Sequence, residues 1–496
     1  MKKLQTLSFL LVVPFLSFAQ PGALDLGFDA DGIVTLDILG ETRAESVAIQ
    51  PDGKIVFCGS TDDPAVPGEE DVYVARLYPD GSLDNTFGSN GVATVLRPGE
   101  ETVSSMVIQA DGKIVLGGTV TEGANDYYYL VRLNTDGSLD LNFGSLGKLV
   151  HQVDPMSFSD RIAEIDIQPD GKILVVGTTG ISGYDLSVVR FNSDGSIDNT
   201  FSFDGTVIID VNSNDWAAGF YLHDNGQITV ACNDNSSGHG FFLARYNADG
   251  TLDPAFGVNG IAPMDFSSSF QHVEDITVTQ EGDILLLVQG GTMSNSDVWI
   301  VRLLEDGTLD NSFSFDGVAE FDVAPHDYPS QFLIQPDGKI LVVGQTENTW
   351  YYATLFRFNG DGTIDNTFGV NGHVLASLGA NGNLRSVTLQ EDGKIVTCGV
   401  SYGDAAVARY LSGINIGIGE VDAYIGSTLV YPNPITNNSI TVEYELKSDE
   451  TVSIELYDLA GKQIARLQSS TKEKVGSYQK TLSLPTLSAG NYLLKL

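Results

Sequence analysis

A thirteen-residue phrase recurs seven times along this chain of 496 residues, and its recurrence limits what the chain can become. The copies are "VAIQPDGKIVFCG" (47–59), "MVIQADGKIVLGG" (106–118), "IDIQPDGKILVVG" (165–177), "FYLHDNGQITVAC" (220–232), "ITVTQEGDILLLV" (276–288), "FLIQPDGKILVVG" (332–344) and "VTLQEDGKIVTCG" (387–399). Each leads into a run ending in arginine, from "YVARL" to "AVARY". A second phrase also occurs seven times: "LDLGFDADG" (24–32), "LDNTFGSNG", "LDLNFGSLG", "IDNTFSFDG", "LDPAFGVNG", "LDNSFSFDG" and "IDNTFGVNG". The two series are out of phase. The chain opens on a second phrase with no first phrase before it, and its last first phrase, ending at Arg409, has no second phrase after it. A linear array gains nothing from such an offset, whereas a ring uses it to pair a strand near 33–38 with the C-terminal strands and remove its open edges.

Each unit offers four β-rich runs, in the first near 43–49, 54–60, 71–78 and 91–96, separated by Asp-Gly and Asn-Gly turn pairs. Runs such as "KILVVG" and "DILLLV" are apolar without alternation, so both of their faces should be covered. Helical spacing is absent. The expected fold is all-β, a seven-bladed β-propeller over residues 20–411 closed by its N-terminal strand.

The repeated charges have an eight-residue spacing: Arg76 with Asp84, Arg132 with Asp140, Arg190 with Asp198, Arg245 with Asp253, Arg302 with Asp310 and Arg357 with Asp365. Active sites are single asymmetric constellations, so a pair copied into every blade reads as a structural device. Arg409 has Gly417 at that spacing, and ring closure assigns it Asp25 instead. The repeated Phe28, Phe87, Phe143, Phe201, Phe256, Phe313 and Phe368 read as apolar plugs under the connector.

Chemistry is harder to find. A calcium loop starting at Asp80 would need glycine at position six and glutamate at position twelve, where Asn85 and Gly91 stand. Six scattered histidines make no zinc motif, and neither a nucleophile elbow nor a phosphate loop is present. No cofactor and no catalytic residue are therefore expected. Function tends to lie where a repeat breaks, which makes Asn233, Asp234, Asn235 and His239 in blade 4, with Asp62 and Asp63 in the long blade 1 insertion, the candidate ligand surface. The competing expectation is a glycan hydrolase or lyase with non-repeated carboxylates or His239 at a mouth of the central channel.

A formal charge of −39 disfavours nucleic acid and anionic membranes as partners. The start "MKKLQTLSFLLVVPFLSFAQ" reads as a secretory signal peptide, residues 1–19, and no later stretch is apolar enough to span a membrane. Cys58, Cys232 and Cys398 sit at repeat-equivalent or adjacent positions too far apart to bridge, so three buried thiols are expected. The chain should act as a monomer.

After a linker (412–427) the pattern changes. "SITVEYEL" and "VSIELYDL" alternate as half-buried strands, which fits a small β-sandwich over 428–496. Within it, "VYPNP" (430–434), "YDLAGK" (457–462) and "LSAGNYLLKL" (487–496) resemble the type A C-terminal sorting domain of the type IX secretion system of the Bacteroidota. The resemblance implies handling by that machinery and release or attachment at the outer cell surface. Since that domain usually continues into a further Lys-rich strand, the sandwich is expected to lack its last one. The repeats, over about 24–410, are similar to the delta-60 repeat of secreted bacterial proteins. That similarity implies propeller blades and carries no catalytic residues. The expected whole is an exported, non-enzymatic module that binds an extracellular protein or glycan, or serves as a scaffold.

Overall fold

The computed structural model describes residues 20–38, 40–62, 70–97, 99–180, 183–211, 214–234, 240–266, 270–292, 294–376, 378–379, 381–414, 425–431, 439–446, 449–457, 463–485 and 492–495. These belong to two compact units, Met1–Ile414 and Asn415–Leu496.

In the first unit, each repeat folds as an antiparallel meander. Blade 1 has strands Thr42–Ile49, Ile55–Asp62, Glu70–Leu77 and Val92–Val95 in that spatial order. The turn between the first two is set by Asp52, whose carboxylate accepts from Lys54 N at 3.2 Å, and by Gly53 at φ 81°. The second strand is buried along nearly its whole length, so its run of apolar residues faces neighbours on both sides. Each first strand carries a bulge, between Ala44 and Ser46 in blade 1. Opposite it stands Gly59, where a Cβ would lie 1.6 Å from Arg43 O. Only glycine fits there.

The same meander recurs at Glu100–His151, Arg161–Ile209, Asp215–Met264, Phe270–Phe321 and His326–Leu375, which become blades 2 to 6. Blade 7 is composite. Its three inner strands lie between Asn383 and Tyr410, and its outer strand is Ile33–Leu36, antiparallel to Asp404–Tyr410 with Ile33 opposite Ala408. Asp25 N donates to Arg409 O at 2.8 Å and Arg409 N to Gly32 O at 2.9 Å, so the chain ends are laced by backbone bonds.

The core is divided among the junctions between blades. One cluster joins Val56, Cys58 and Val74 of blade 1 to Met106, Ile114 and Leu116 of blade 2. Equivalent clusters fill each junction round to the last, where Val396, Cys398 and Val407 meet Phe57, Tyr73 and Ala75. No blade could bury both faces alone. All three cysteines are free and buried.

Among the described residues, the second unit holds two three-stranded sheets. One orders Ile425–Tyr431, Ser439–Leu446 and Gly476–Ser483, and the other Gln463–Glu473, Glu450–Tyr457 and Leu493–Lys495. Ile440, Val442, Tyr444 and Leu446 alternate inward and pack on Val452, Ile454 and Leu456. The first strand begins at Ile425, inside the segment read from sequence as linker. Leu493–Lys495 pairs with Glu450–Tyr457, so these three residues supply a sheet strand.

Candidate functional site

The repeated ionic residues converge at the end of the third strand of each blade. In blade 1, Arg76 Nε donates to Asp84 Oδ2 at 2.8 Å, and its guanidinium carbon lies 4.6 Å from the centre of the Phe87 ring. Arg76 Nη1 donates to Thr135 O of blade 2 at 2.6 Å. Asp84 also accepts from Thr86 N and Oγ1, at 3.0 and 2.6 Å, while Lys54 Nζ stands 3.5 Å from its Oδ2. Burial works against ionisation of Asp84, yet these hydrogen bonds and the Arg76 charge hold its carboxyl well below the usual range. The cluster is therefore a latch between consecutive blades, in which Phe87 is both plug and cation platform.

Nε-to-carboxylate bonds of 2.7–2.9 Å recur at Arg132–Asp140, Arg190–Asp198, Arg302–Asp310, Arg357–Asp365 and Arg409–Asp25. All seven arginines stack on their phenylalanine. Blade 4 departs from the pairing. There Arg245 Nε makes no hydrogen bond, and Asp253 Oδ2 accepts from Gln227 Nε2 at 3.1 Å. The reason is local: Gln227, where five other blades have a lysine, donates to the aspartate oxygen that the arginine takes elsewhere, and Arg245 stacks on Phe256 and bonds Glu305 O of blade 5.

A second ring runs along the first strands. The residue after each bulge is Ser46, Ser105, Glu164, Gly219, Asp275, Gln331 or Ser386. Five of these side chains accept a backbone N–H from the next blade. Ser105 accepts Ile165 N, Glu164 accepts Phe220 N, Asp275 accepts Phe332 N, Gln331 accepts Val387 N and Ser386 accepts Val47 N, at 2.7–3.3 Å.

The ring breaks its pattern at Gly219. With no side chain there, the carboxylates of Glu164 and Asp275 approach from either side: a Cβ on Gly219 would lie 3.0 Å from Glu164 Oε2 and 3.6 Å from Asp275 Oδ1. Burial raises the Glu164 pKa well above normal, and the Asp275 charge raises it further. Burial likewise pushes Asp275 up to about 7. Both carboxyls line a cavity of ≈ 470 Å³ with Asp166, Tyr221, Thr277 and Gln331. Carboxyls raised by burial in this way are suited to donating or accepting a proton. No sequence motif marks the pair, because Glu164 and Asp275 stand inside strands of blades 3 and 5 and the residue between them, Gly219, carries no side chain.

The loop candidates are dispersed. Asn233 lies in the second strand of blade 4, buried, with its amide bonded to Val273 O and N at 2.9 and 2.8 Å. It is a blade-to-blade staple, which corrects its reading as a loop ligand. Asp234 ends that strand half-buried, and Asp62 ends the second strand of blade 1 exposed. Asn235, His239 and Asp63 lie outside the described residues. Two acidic triads, Asp185 with Asp210 and Asp215, and Asp297 with Asp322 and Asp327, each bring three carboxylate oxygens within 4.8 Å of one another. Oxygen-only sets of this kind suit a hard divalent cation. Two of the members also carry structural duties, since Asp215 accepts Val211 N and Asp327 accepts Val323 N, at 2.8 and 2.9 Å.

A family described as a domain of unknown function (DUF5122) beta-propeller matches residues 50–87, 109–143, 168–201, 223–256, 286–313 and 335–368. A secretion system C-terminal sorting domain matches residues 429–496. DUF5122 propeller repeats and a type IX sorting domain are found in this chain. Five of the matched DUF5122 segments run from the turn after the first strand to the latch phenylalanine, and the 286–313 match begins within the second strand. The seventh latch is divided between the two ends of the ring, with Lys394 and Arg409 from one and Asp25 and Phe28 from the other.

The sorting domain directs the chain to secretion or to attachment at the outer cell surface. No curated protein matches the chain. Among solved structures it is similar to a protein of unknown function from Dyadobacter fermentans, at 14% identity over 76% of this chain and 97% of that one, TM-score 0.41. It is also similar to a polysaccharide lyase of family PL25, an ulvan lyase, at 10% identity over 76% and 96%, TM-score 0.45. A gluconolactonase from Xanthomonas campestris matches at 13% over 78% and 91%, TM-score 0.35.

Proposed function

We propose that this secreted propeller is a non-enzymatic binding or scaffold module that works outside the cell. The observation carrying this reading is a sorting domain behind a ring whose repeated ionic residues are turned into latches. Those latches make a rigid platform, and a rigid ring suits presentation of fixed surface groups to a partner. The test is a binding screen of the purified chain against glycan arrays and extracellular matrix proteins, with and without chelator. Saturable binding of one class supports the reading, and indifference to all of them removes it.

The Glu164–Asp275 pair favours a second reading, a channel enzyme acting on glycans with one carboxyl as acid and the other as base. A polysaccharide-cleaving activity lost in both Glu164→Gln and Asp275→Asn would replace the binding reading. Unchanged polysaccharides in the presence of wild-type protein would leave the pair to the scaffold.

A further inference from the structure

The connector after the third strand hides one phenylalanine and, in two blades, displays another. Phe201 and Phe313 are fully buried, whereas Phe203 and Phe315, two residues on, are each 95% exposed. Val258 and Val370 occupy the equivalent tips of blades 4 and 6, at 72% and 68% exposure. Four consecutive blades thus end in an apolar knob.

Three of the tips are tied to the blade that follows. Ser202 N donates to Asp249 O at 2.8 Å, Gly257 N to Asp306 O at 2.9 Å and Ser314 N to Asp361 O at 3.3 Å, so the tips of blades 3 to 5 rest on the turn of the following blade, while Gly369 N of blade 6 donates to Pro21 O at 2.9 Å. Both exposed phenylalanines have left-handed backbone, with φ of 73° and 77°. A bulky residue there is strained as well as exposed, and the fold gains no burial from it.

The charge around the knobs is one-sided. Asp249, Asp306 and Asp361 are held ionised by hydrogen bonds from Thr251, Thr308 and Thr363. Blades 4 and 5, in the middle of this face, also lack the latch lysine that blades 3 and 6 keep as Lys172 and Lys339: they have Gln227 and Asp283.

Resting on the binding reading, we propose that the connector face of blades 3 to 6 docks a basic polypeptide segment with interspersed apolar side chains, its Leu or Phe between the knobs and its Lys or Arg on the aspartates. The recognition is an apolar contact rimmed by complementary charge.

The test uses the full chain and a synthetic peptide of alternating lysine and leucine, with a lysine–serine peptide of equal charge as control. Wild type should bind the first peptide, weakened by high salt, and bind the second at least about tenfold less tightly. The double variant Phe203→Ser/Phe315→Ser should lose about tenfold in affinity. So should Asp306→Asn/Asp361→Asn, which removes the turn charges and leaves an oxygen to accept from Thr308 and Thr363. Circular dichroism melts matching wild type establish that both variants fold. Equal affinity of either variant and wild type overturns the proposal, as does absence of peptide binding. A chain that ignores the peptide yet binds a glycan or a matrix protein loses this assignment and keeps the binding reading. Indifference to all probes removes both.

Discussion

Arg190 shows how many duties one side chain carries in this ring. Its Nε serves Asp198 at 2.7 Å, its Nη1 serves Ala248 O of blade 4 at 2.7 Å, and its plane covers Phe201 at 4.6 Å. Arg190→Ala leaves the buried Asp198 with Lys172 at 3.1 Å as its remaining cation and strips Ala248 O and Phe201 of their partner, and the expected loss in urea unfolding is about 2–3 kcal/mol. Lysine cannot reproduce a forked donor that also stacks, so Arg190→Lys should recover only a minor part. Arg302→Ala should cost less, because that side chain is 20% exposed against 7% for Arg190. The eight-residue spacing of Arg and Asp was legible because both ends of the pair lie on one strand–connector segment. The lysine contribution was not, since Lys54 reaches Asp84 from a different hairpin. Nor was the failure of the Arg245–Asp253 pair, which follows from Gln227 on that same hairpin.

At the scale of the element, the bulged first strand sets both the inner ring and its weak point. A bulge shifts the side-chain alternation by one, so parity along "RIAEIDI" does not show that Glu164 faces a neighbouring blade. Gly219 reads as a drifted residue until its blade stands between Glu164 and Asp275. The candidate site was therefore illegible, whereas the strands, turns and plugs followed from period and turn chemistry.

The raised carboxyls give a pH signature. Asp275 titrates near 7 in the folded chain and near 4, the ordinary aspartate value, when unfolded. The folded state binds that proton more tightly, so ionisation carries no penalty below about pH 4 and a growing one up to about pH 7. Asp275→Asn should therefore raise stability at pH 8, on the order of 1–3 kcal/mol, and change it little at pH 4. An equal effect at both pH values in urea titrations would contradict the assignment.

At the scale of the molecule, the offset between the two phrases was the most informative feature of the sequence, because only a closed ring gives the stranded copies a partner. The export signal was equally local, three short motifs in order within the last unit. Deleting 428–496 should hold the chain inside the outer membrane, as read by immunoblots of culture supernatant and surface fractions. The boundary itself was less legible, because Ile425–Tyr431 starts with residues that resemble a linker in composition.

Closure is the central claim, and it rests on contacts between residues 384 positions apart in the chain. A double-mutant cycle on Asp25→Ala and Arg409→Ala measures it most directly, with Asp198→Ala and Arg190→Ala as the local reference. The closed ring predicts a coupling above about 1 kcal/mol, matching the reference pair to about 0.5 kcal/mol. Additive effects at Asp25 and Arg409, beside a coupled reference pair, would contradict it.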